Sequence, residues 1–131
     1  MTELKGRKIC GGKAGAEAIV SKDGISFYGG VDPDTGIVIE KGHDLEGKCI
    51  AGKVLVFPAG KGSTVGSYIL YRLKKNGKAP AAIINAECET IVAVGAIISE
   101  IPCVDKIDIA KIVDGKSVEV DADAATVKIE D

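Results

Sequence analysis

Apolar and polar positions change rhythm several times along this chain. Ser117–Asp121 and Thr126–Ile129 alternate with a period of two around Ala122–Ala125, which predicts a β-hairpin. Lys53–Phe57 and Ala81–Asn85 are instead nearly continuous apolar runs, the pattern of strands buried on both faces. Helical spacing follows each run. Val65, Tyr68, Ile69, Arg72 and Leu73 share one face of a helix predicted from about Thr64 to Lys75. Asn76-Gly77 supplies its stop signal, and Lys74 and Lys75 suit its negative end. A second predicted helix covers Glu89–Ser99, with Gly95 available for close packing and its aliphatic residues expected in the core. Glu87 and Glu89 are expected to give it an acidic N-terminal cap.

Short strands are predicted near Lys8–Cys10, Ala16–Ser21, Ile37–Glu40 and Cys103–Val104. Ile25–Gly36 reads as a loop rich in residues that permit tight backbone. Strand-rich ends thus flank a central β-α-β-α-β segment. The expected fold is α/β, a single three-layer β/β/α domain over residues 1–131 rather than a doubly wound sheet.

Composition narrows the classes. Apolar residues make up 46% of the 131 and aromatics only 4%, so the core must rest on Val, Ile, Leu and Ala. The net charge is -2, with both signs interspersed, and no basic stripe suggests nucleic-acid binding. No run approaches the ~20 apolar residues that span a bilayer, and Met1 to Lys8 is too charged for a signal-peptide core. A cytoplasmic protein is expected. Cys10, Cys49, Cys88 and Cys103 form no CxxC unit, and buried reduced thiols are the plain expectation. His43, the only histidine, lies in a turn-like stretch and is expected to be solvated.

The chemistry concentrates where the first buried strand meets its helix, in Gly60-Lys-Gly-Ser-Thr-Val-Gly66. Three readings fit. Ser63 or Thr64 could simply cap the helix. Gly60, Gly62 and Gly66 come near a dinucleotide fingerprint, but the spacing is one residue too long, and Lys61 precedes Gly62 where a P-loop needs it after. Thirdly, Ser63 could act as a base or nucleophile, with Lys61 and a helix N-terminus stabilising its alkoxide.

Five segments appear in order: Gly29-Gly-Val-Asp-Pro-Asp-Thr-Gly36, Gly42-His-Asp-Leu-Glu-Gly47, Gly52-Lys-Val-Leu-Val-Phe-Pro-Ala-Gly-Lys-Gly-Ser-Thr64, Ala79-Pro-Ala-Ala-Ile-Ile84 and Val94-Gly-Ala-Ile-Ile98. In register they resemble the small subunit of the aconitase X family, over nearly the whole chain, and within it the archaeal members that act on phosphomevalonate. The resemblance implies a swivelling β/β/α domain and a large-subunit partner that carries a [4Fe-4S] cluster, with none bound by this chain alone. It implies a hydro-lyase subunit, inactive alone, of a heteromeric enzyme. The reaction implied is dehydration of (R)-5-phosphomevalonate to trans-anhydromevalonate 5-phosphate, in an archaeal-type mevalonate route to isoprenoids. A related hydroxy acid such as cis-3-hydroxyproline is the alternative substrate within the family. A small nucleotide- or anion-binding module without chemistry is the alternative outside it.

The family's serine base falls on Ser63. Lys61, Gly62, Thr64 and Asp32 are the expected substrate contacts, for a phosphorylated hydroxy acid, with a plain structural turn as the other reading of the Gly29–Gly36 loop that carries Asp32. Members often carry Arg where Lys61 stands and a second Ser where Thr64 stands. Lys keeps the charge without the bidentate grip of Arg. Swivel domains of the classical aconitases follow their serine pair with Arg, whereas Val65 follows Thr64 here.

Overall fold

The structure, a computed structural model, describes residues 2–130. Among them, eight strands form one sheet in the order β1-β8-β7-β3-β4-β5-β6-β2. The strands are β1 (Thr2–Lys5), β2 (Arg7–Cys10), β3 (Lys13–Val20), β4 (Val54–Phe57), β5 (Ala82–Asn85), β6 (Cys103–Asp105), β7 (Ser117–Asp121) and β8 (Thr126–Ile129). The central strands β3, β4, β5 and β6 run parallel, and the outer pairings are antiparallel. A single interrupted turn, α1 (Phe27–Gly30), precedes the two main helices, α2 (Gly66–Lys75) and α3 (Thr90–Ser99).

The sheet curls until its ends nearly meet. Its two edge strands, β1 and β2, are consecutive in the chain and separated only by Gly6. The Gly6 N–H donates to the Ala125 carbonyl at 2.8 Å. A Cβ there would fall onto the Asp105 carbonyl oxygen and stand 2.7 Å from Ile107 Cδ1. Just beyond, Arg7 grips Asp105 with two bonds, Nε to Oδ1 at 3.0 Å and Nη2 to Oδ2 at 2.8 Å. The Cys88 N–H also donates to Asp105 Oδ2, at 2.9 Å. Burial alone would raise the Asp105 carboxyl. The Arg7 guanidinium and the Cys88 amide outweigh it and hold the group below the usual carboxylate range.

Curling divides the interior into two cores. Val54, Val56, Ala82, Ile84, Val104, Val118, Val120 and Val127 fill the space between the two halves of the sheet. Leu55, Phe57 and Ile83, on the opposite faces of β4 and β5, pack with Leu70, Leu73, Val92 and Ala96 of the helices. Both faces of β4 and β5 are therefore buried, which explains their unbroken apolar runs. The result is the expected β/β/α layering. Gly95 lets α3 press on α2, since a Cβ there would stand 2.5 Å from Leu70 Cδ1.

Several local expectations need correction. The Thr2–Lys5 strand escapes the hydrophobic pattern because Leu4 is its only apolar residue; backbone pairing with β8 makes it. Ile37–Glu40 is not a strand. It makes only isolated bridges, Val31 with Val38 and Ile37 with Cys49. Helix α2 starts at Gly66, not Thr64, and its buried face is Gly66, Ser67, Ile69, Leu70 and Leu73. Val65, Tyr68 and Arg72 face water instead. The aliphatic residues of α3 are only half core, because Val94, Ile97 and Ile98 are exposed. No helix among the described residues is long and apolar enough to cross a membrane.

Two predictions follow from the seam at residues 6 and 7. Gly6→Ala should destabilise the chain by about 1–3 kcal/mol, because backbone must shift to admit the methyl; an unchanged denaturation midpoint would contradict this. The Arg7–Asp105 pair lowers the folded-state pKa, so its contribution is complete above the ordinary carboxylate value near ~4 and is lost as pH falls through the lower folded-state value. Denaturation midpoints measured between about pH 2 and 6 should fall less steeply in Asp105→Asn than in the parent chain. Parallel curves would show that the carboxylate is not the sensitive group.

Candidate active site

The parallel order of β4 and β5 sends both helices off from the same sheet edge. Helix α2 follows β4 and α3 follows β5, so their N-termini lie together beyond the carboxyl ends of the strands, the usual binding edge of such sheets. Residues 58–65 connect β4 to α2 there. The segment is pinned from below by residues 25–26. Gly60 makes a parallel bridge to Ile25, and the Lys61 N–H donates to the Ile25 carbonyl at 3.0 Å. A Cβ at position 60 would overlap the Glu89 carboxylate and stand 2.5 Å from Val92 Cγ2. Gly62 has φ +89°, and a Cβ there would overlap Ser26 Oγ. Both glycines are thus required by contact, and Gly62 also by its left-handed backbone.

This pinning leaves Ser63 at the surface. Its Oγ accepts a hydrogen bond from the Val65 N–H at 3.1 Å. Its carbonyl accepts from the Gly66 N–H at 2.9 Å, and the Thr64 carbonyl accepts from the Ser67 N–H at 3.1 Å. The N–H groups of Gly62, Ser63 and Thr64 donate to no group among the described residues. Val65, at the N-cap position of α2, has no capping side chain, and the Ser63 Oγ bond to the Val65 N–H serves one amide of the turn that leads into the helix. Amide donation to Oγ and the positive end of a helix both favour a negatively charged oxygen. Three unengaged N–H groups beside it suit an anionic ligand.

The other expected residues fall in two groups. Lys61 and Thr64 are exposed beside Ser63, and Lys61 Nζ lies 3.3 Å from Glu40 Oε2. The structure does not bring Asp32 to this place. Its Oδ1 accepts from the Asp34 N–H at 2.9 Å, and its carbonyl accepts from Gly36 N–H at 2.8 Å, so it organises its own turn. That turn is tied to the far end of α2, through Asn76 Nδ2 to the Pro33 carbonyl at 2.8 Å and Arg72 to Asp34 at 3.4 Å.

Ser26 and Glu40 are the neighbours that sequence reasoning missed. They reach Ser63's turn from loops over thirty and twenty residues away, and nothing in local spacing announces them. Glu89 does cap α3, accepting from Ile91 N–H and Val92 N–H at 2.8 Å each. Glu87 does not; it pairs with Lys106 at 2.7 Å.

His43 is buried, not solvated. Its Nδ1 accepts from the Leu45 N–H at 3.0 Å, which leaves the proton on Nε2, 3.0 Å from the Gly24 carbonyl. Both ring nitrogens are therefore occupied. The nearby Asp44 carboxylate accepts from Ser21 Oγ at 2.6 Å and from the Lys22 N–H at 2.8 Å. In the Asp23–His43–Asp44 group the ligand atoms lie within 4.8 Å of one another, but both imidazole nitrogens are spent on backbone groups.

The cysteines do not fit an iron–sulfur cluster, which needs thiolates converging on one site. Cys49 is exposed and bonded to the Thr35 carbonyl at 3.5 Å. Cys103 is buried, and hydrogen bonding to Cys88 together with that burial drives its thiol far above the ordinary range. Burial likewise pushes the Cys10 thiol up.

Comparison with known proteins settles the family. A family model described as the aconitase X swivel domain matches residues 3–129. The chain belongs to the aconitase X swivel-domain family. It is 63% identical over 127 residues to the phosphomevalonate dehydratase small subunit of Thermococcus kodakarensis, covering 97% of this chain and 96% of that one. It is 59% identical over 130 residues to the protein of the same name from Methanocella arvoryzae, covering 97% and 98%. The crystal structure of holo-form aconitase X from Thermococcus kodakaraensis matches with a TM-score of 0.98 at 61% identity, over all of both chains. As an aconitase X swivel domain, the chain carries its serine turn on the edge where both helices begin.

The two glycines of that turn differ from those in open loops. Gly62→Ala should cost more stability than Gly42→Ala. Both have positive φ, worth about 1–2 kcal/mol for an L residue, but only position 62 also meets a neighbour. Chemical denaturation of the two variants decides this, and equal losses would mean that Ser26 does not brace the turn.

Proposed function

We propose that this chain is the small subunit of a phosphomevalonate dehydratase. It acts with a large subunit to remove water from (R)-5-phosphomevalonate and give trans-anhydromevalonate 5-phosphate. Relatives that match nearly end to end carry that name. The observation that carries the chemistry is an exposed Ser63 Oγ, held by the Val65 amide at the mouth of α2, with three uncommitted N–H groups beside it.

Dehydration breaks a C–H bond on the carbon next to the carboxylate and a C–O bond on the adjoining carbon, leaving a double bond between them. Ser63, as its alkoxide, takes the proton onto Oγ. A free serine is far too weak an acid for this, so its oxyanion must be stabilised in place. The Val65 N–H does so directly, and the α2 N-terminus adds its partial positive charge. The N–H groups of Gly62 and Thr64 bind an anionic oxygen of the substrate. Lys61 contributes its charge when it exchanges Glu40 for that oxygen. Thr64 lines the same rim.

An iron–sulfur cluster of the aconitase type, [4Fe-4S], belongs in this reading to the large subunit and supplies Lewis-acid chemistry for departure of the hydroxyl. This chain's thiols are not its ligands. The pairing of the two subunits then explains why a serine turn open to water needs a partner to work.

Ser63→Ala in the co-expressed complex should lower turnover by at least about 100-fold, the scale of a positioned acid–base group, while the two subunits still co-purify. Turnover near the parent rate in that complex would remove Ser63 from the chemistry.

A further inference from the structure

Helix α3 has no charged side chain between Thr90 and Ser99, yet only one of its faces is buried. Val94, Ile97 and Ile98 form a stripe on the other face, with Ile97 55% exposed. Ile98 and Tyr71 line the groove between α3 and α2. On α2, Tyr68 is 66% exposed, one turn beyond Val65, which is exposed beside Ser63. Apolar surface therefore runs from the serine turn along α2 and across to α3. An aliphatic face of this kind marks a surface made to be covered. The outward face of the sheet is built in the opposite way. Glu3, Lys128 and Glu119 alternate in charge across β1, β8 and β7, and Lys13 pairs with Asp121 at 3.9 Å.

We propose that this surface of α2 and α3, centred on Tyr68, Tyr71, Val94, Ile97 and Ile98, is where the large subunit docks. The proposal rests on the function given above. Continuity names the occupant: a body that covers Tyr68 also borders Ser63. A second copy of this chain would bring only another serine turn to that border. The large subunit brings what dehydration requires there, a group that helps the hydroxyl leave. Two tyrosines among aliphatic residues match the make-up of an interface centre, with Lys74, Lys75 and Glu100 lining the groove at the carboxyl ends of the two helices.

The test measures affinity of the full chain for the large subunit. Val94→Asp with Ile97→Asp changes only exposed positions, so thermal unfolding should show a folded chain. Its affinity should fall by at least about 100-fold, whereas Lys128→Glu on the charged sheet should leave it unchanged. Hydrogen exchange on the unmodified chain gives a reading independent of any variant. With the large subunit present, exchange should slow in Tyr68–Arg72 and Val94–Ile98 but not in the β7–β8 hairpin. Unchanged affinity, or unchanged exchange in both helices, overturns the docking surface even where Ser63→Ala abolishes turnover. Lost affinity in the double variant supports the surface even where Ser63→Ala stays active, a result that would overturn only the serine chemistry. Self-association of the isolated chain that the double variant abolishes, with affinity for the large subunit intact, would assign the surface to a second copy and overturn the proposal.

Discussion

The close approach of the chain at Gly60 and Gly62 to its neighbours fixes where Ser63 stands. One glycine lies against the Glu89 carboxylate and Val92, the other against Ser26. A side chain at either point would displace a neighbour, so the connection after β4 is pressed between the start of α3 and the residue 25–26 strap. Ser63 then has nowhere to go but outward. The same compression delays α2 to Gly66 and leaves the Gly62, Ser63 and Thr64 amides without partners among the described residues. An exposed hydroxyl ordinarily exchanges freely with water. Here it meets a fixed donor, the Val65 amide, and the field of a ten-residue helix.

That arrangement depends in turn on the sheet. Helices α2 and α3 begin side by side only because β4 and β5 are adjacent and parallel. The pair is buried on both faces because the sheet curls back at Gly6 to enclose a second core. The Arg7–Asp105 grip closes the seam, and its Cys88 contact reaches the start of α3. Stability at the seam and geometry at the serine are thus linked through one segment of chain, residues 85–92.

Much of this was legible in the sequence because it follows from local chemistry. The unbroken runs of β4 and β5, the alternation of β7 and β8, the stop at Asn76-Gly77 and the Glu89 cap each have a local cause. The family resemblance supplied the β/β/α layering, though not the closure of the sheet, and singled out Ser63 as the proposed base. What escaped depends on contacts between distant segments. Strand β1 exists through its pairing with β8, and Leu4 alone is too little pattern to reveal it. His43 is buried by two backbone partners that its own neighbourhood does not betray. The helix faces misled for a different reason. Periodicity places Val65, Tyr68 and Ile69 on apolar faces, and the layer beneath has room only for Ile69. Asp32 spends its carboxylate on a turn that docks through Pro33 on the end of α2, a contact that motif order does not reveal.

The proposed division of labour gives this chain the proton and its partner the leaving hydroxyl. It explains why a small protein would keep a serine turn open and apolar helices uncovered. The most direct measurement is the structure of the two-subunit complex with substrate bound. The account predicts Ser63 Oγ within about 3.5 Å of the carbon next to the carboxylate, the distance of a near-attack geometry. A substrate bound with that carbon facing another base, and Ser63 Oγ out of reach, would contradict it.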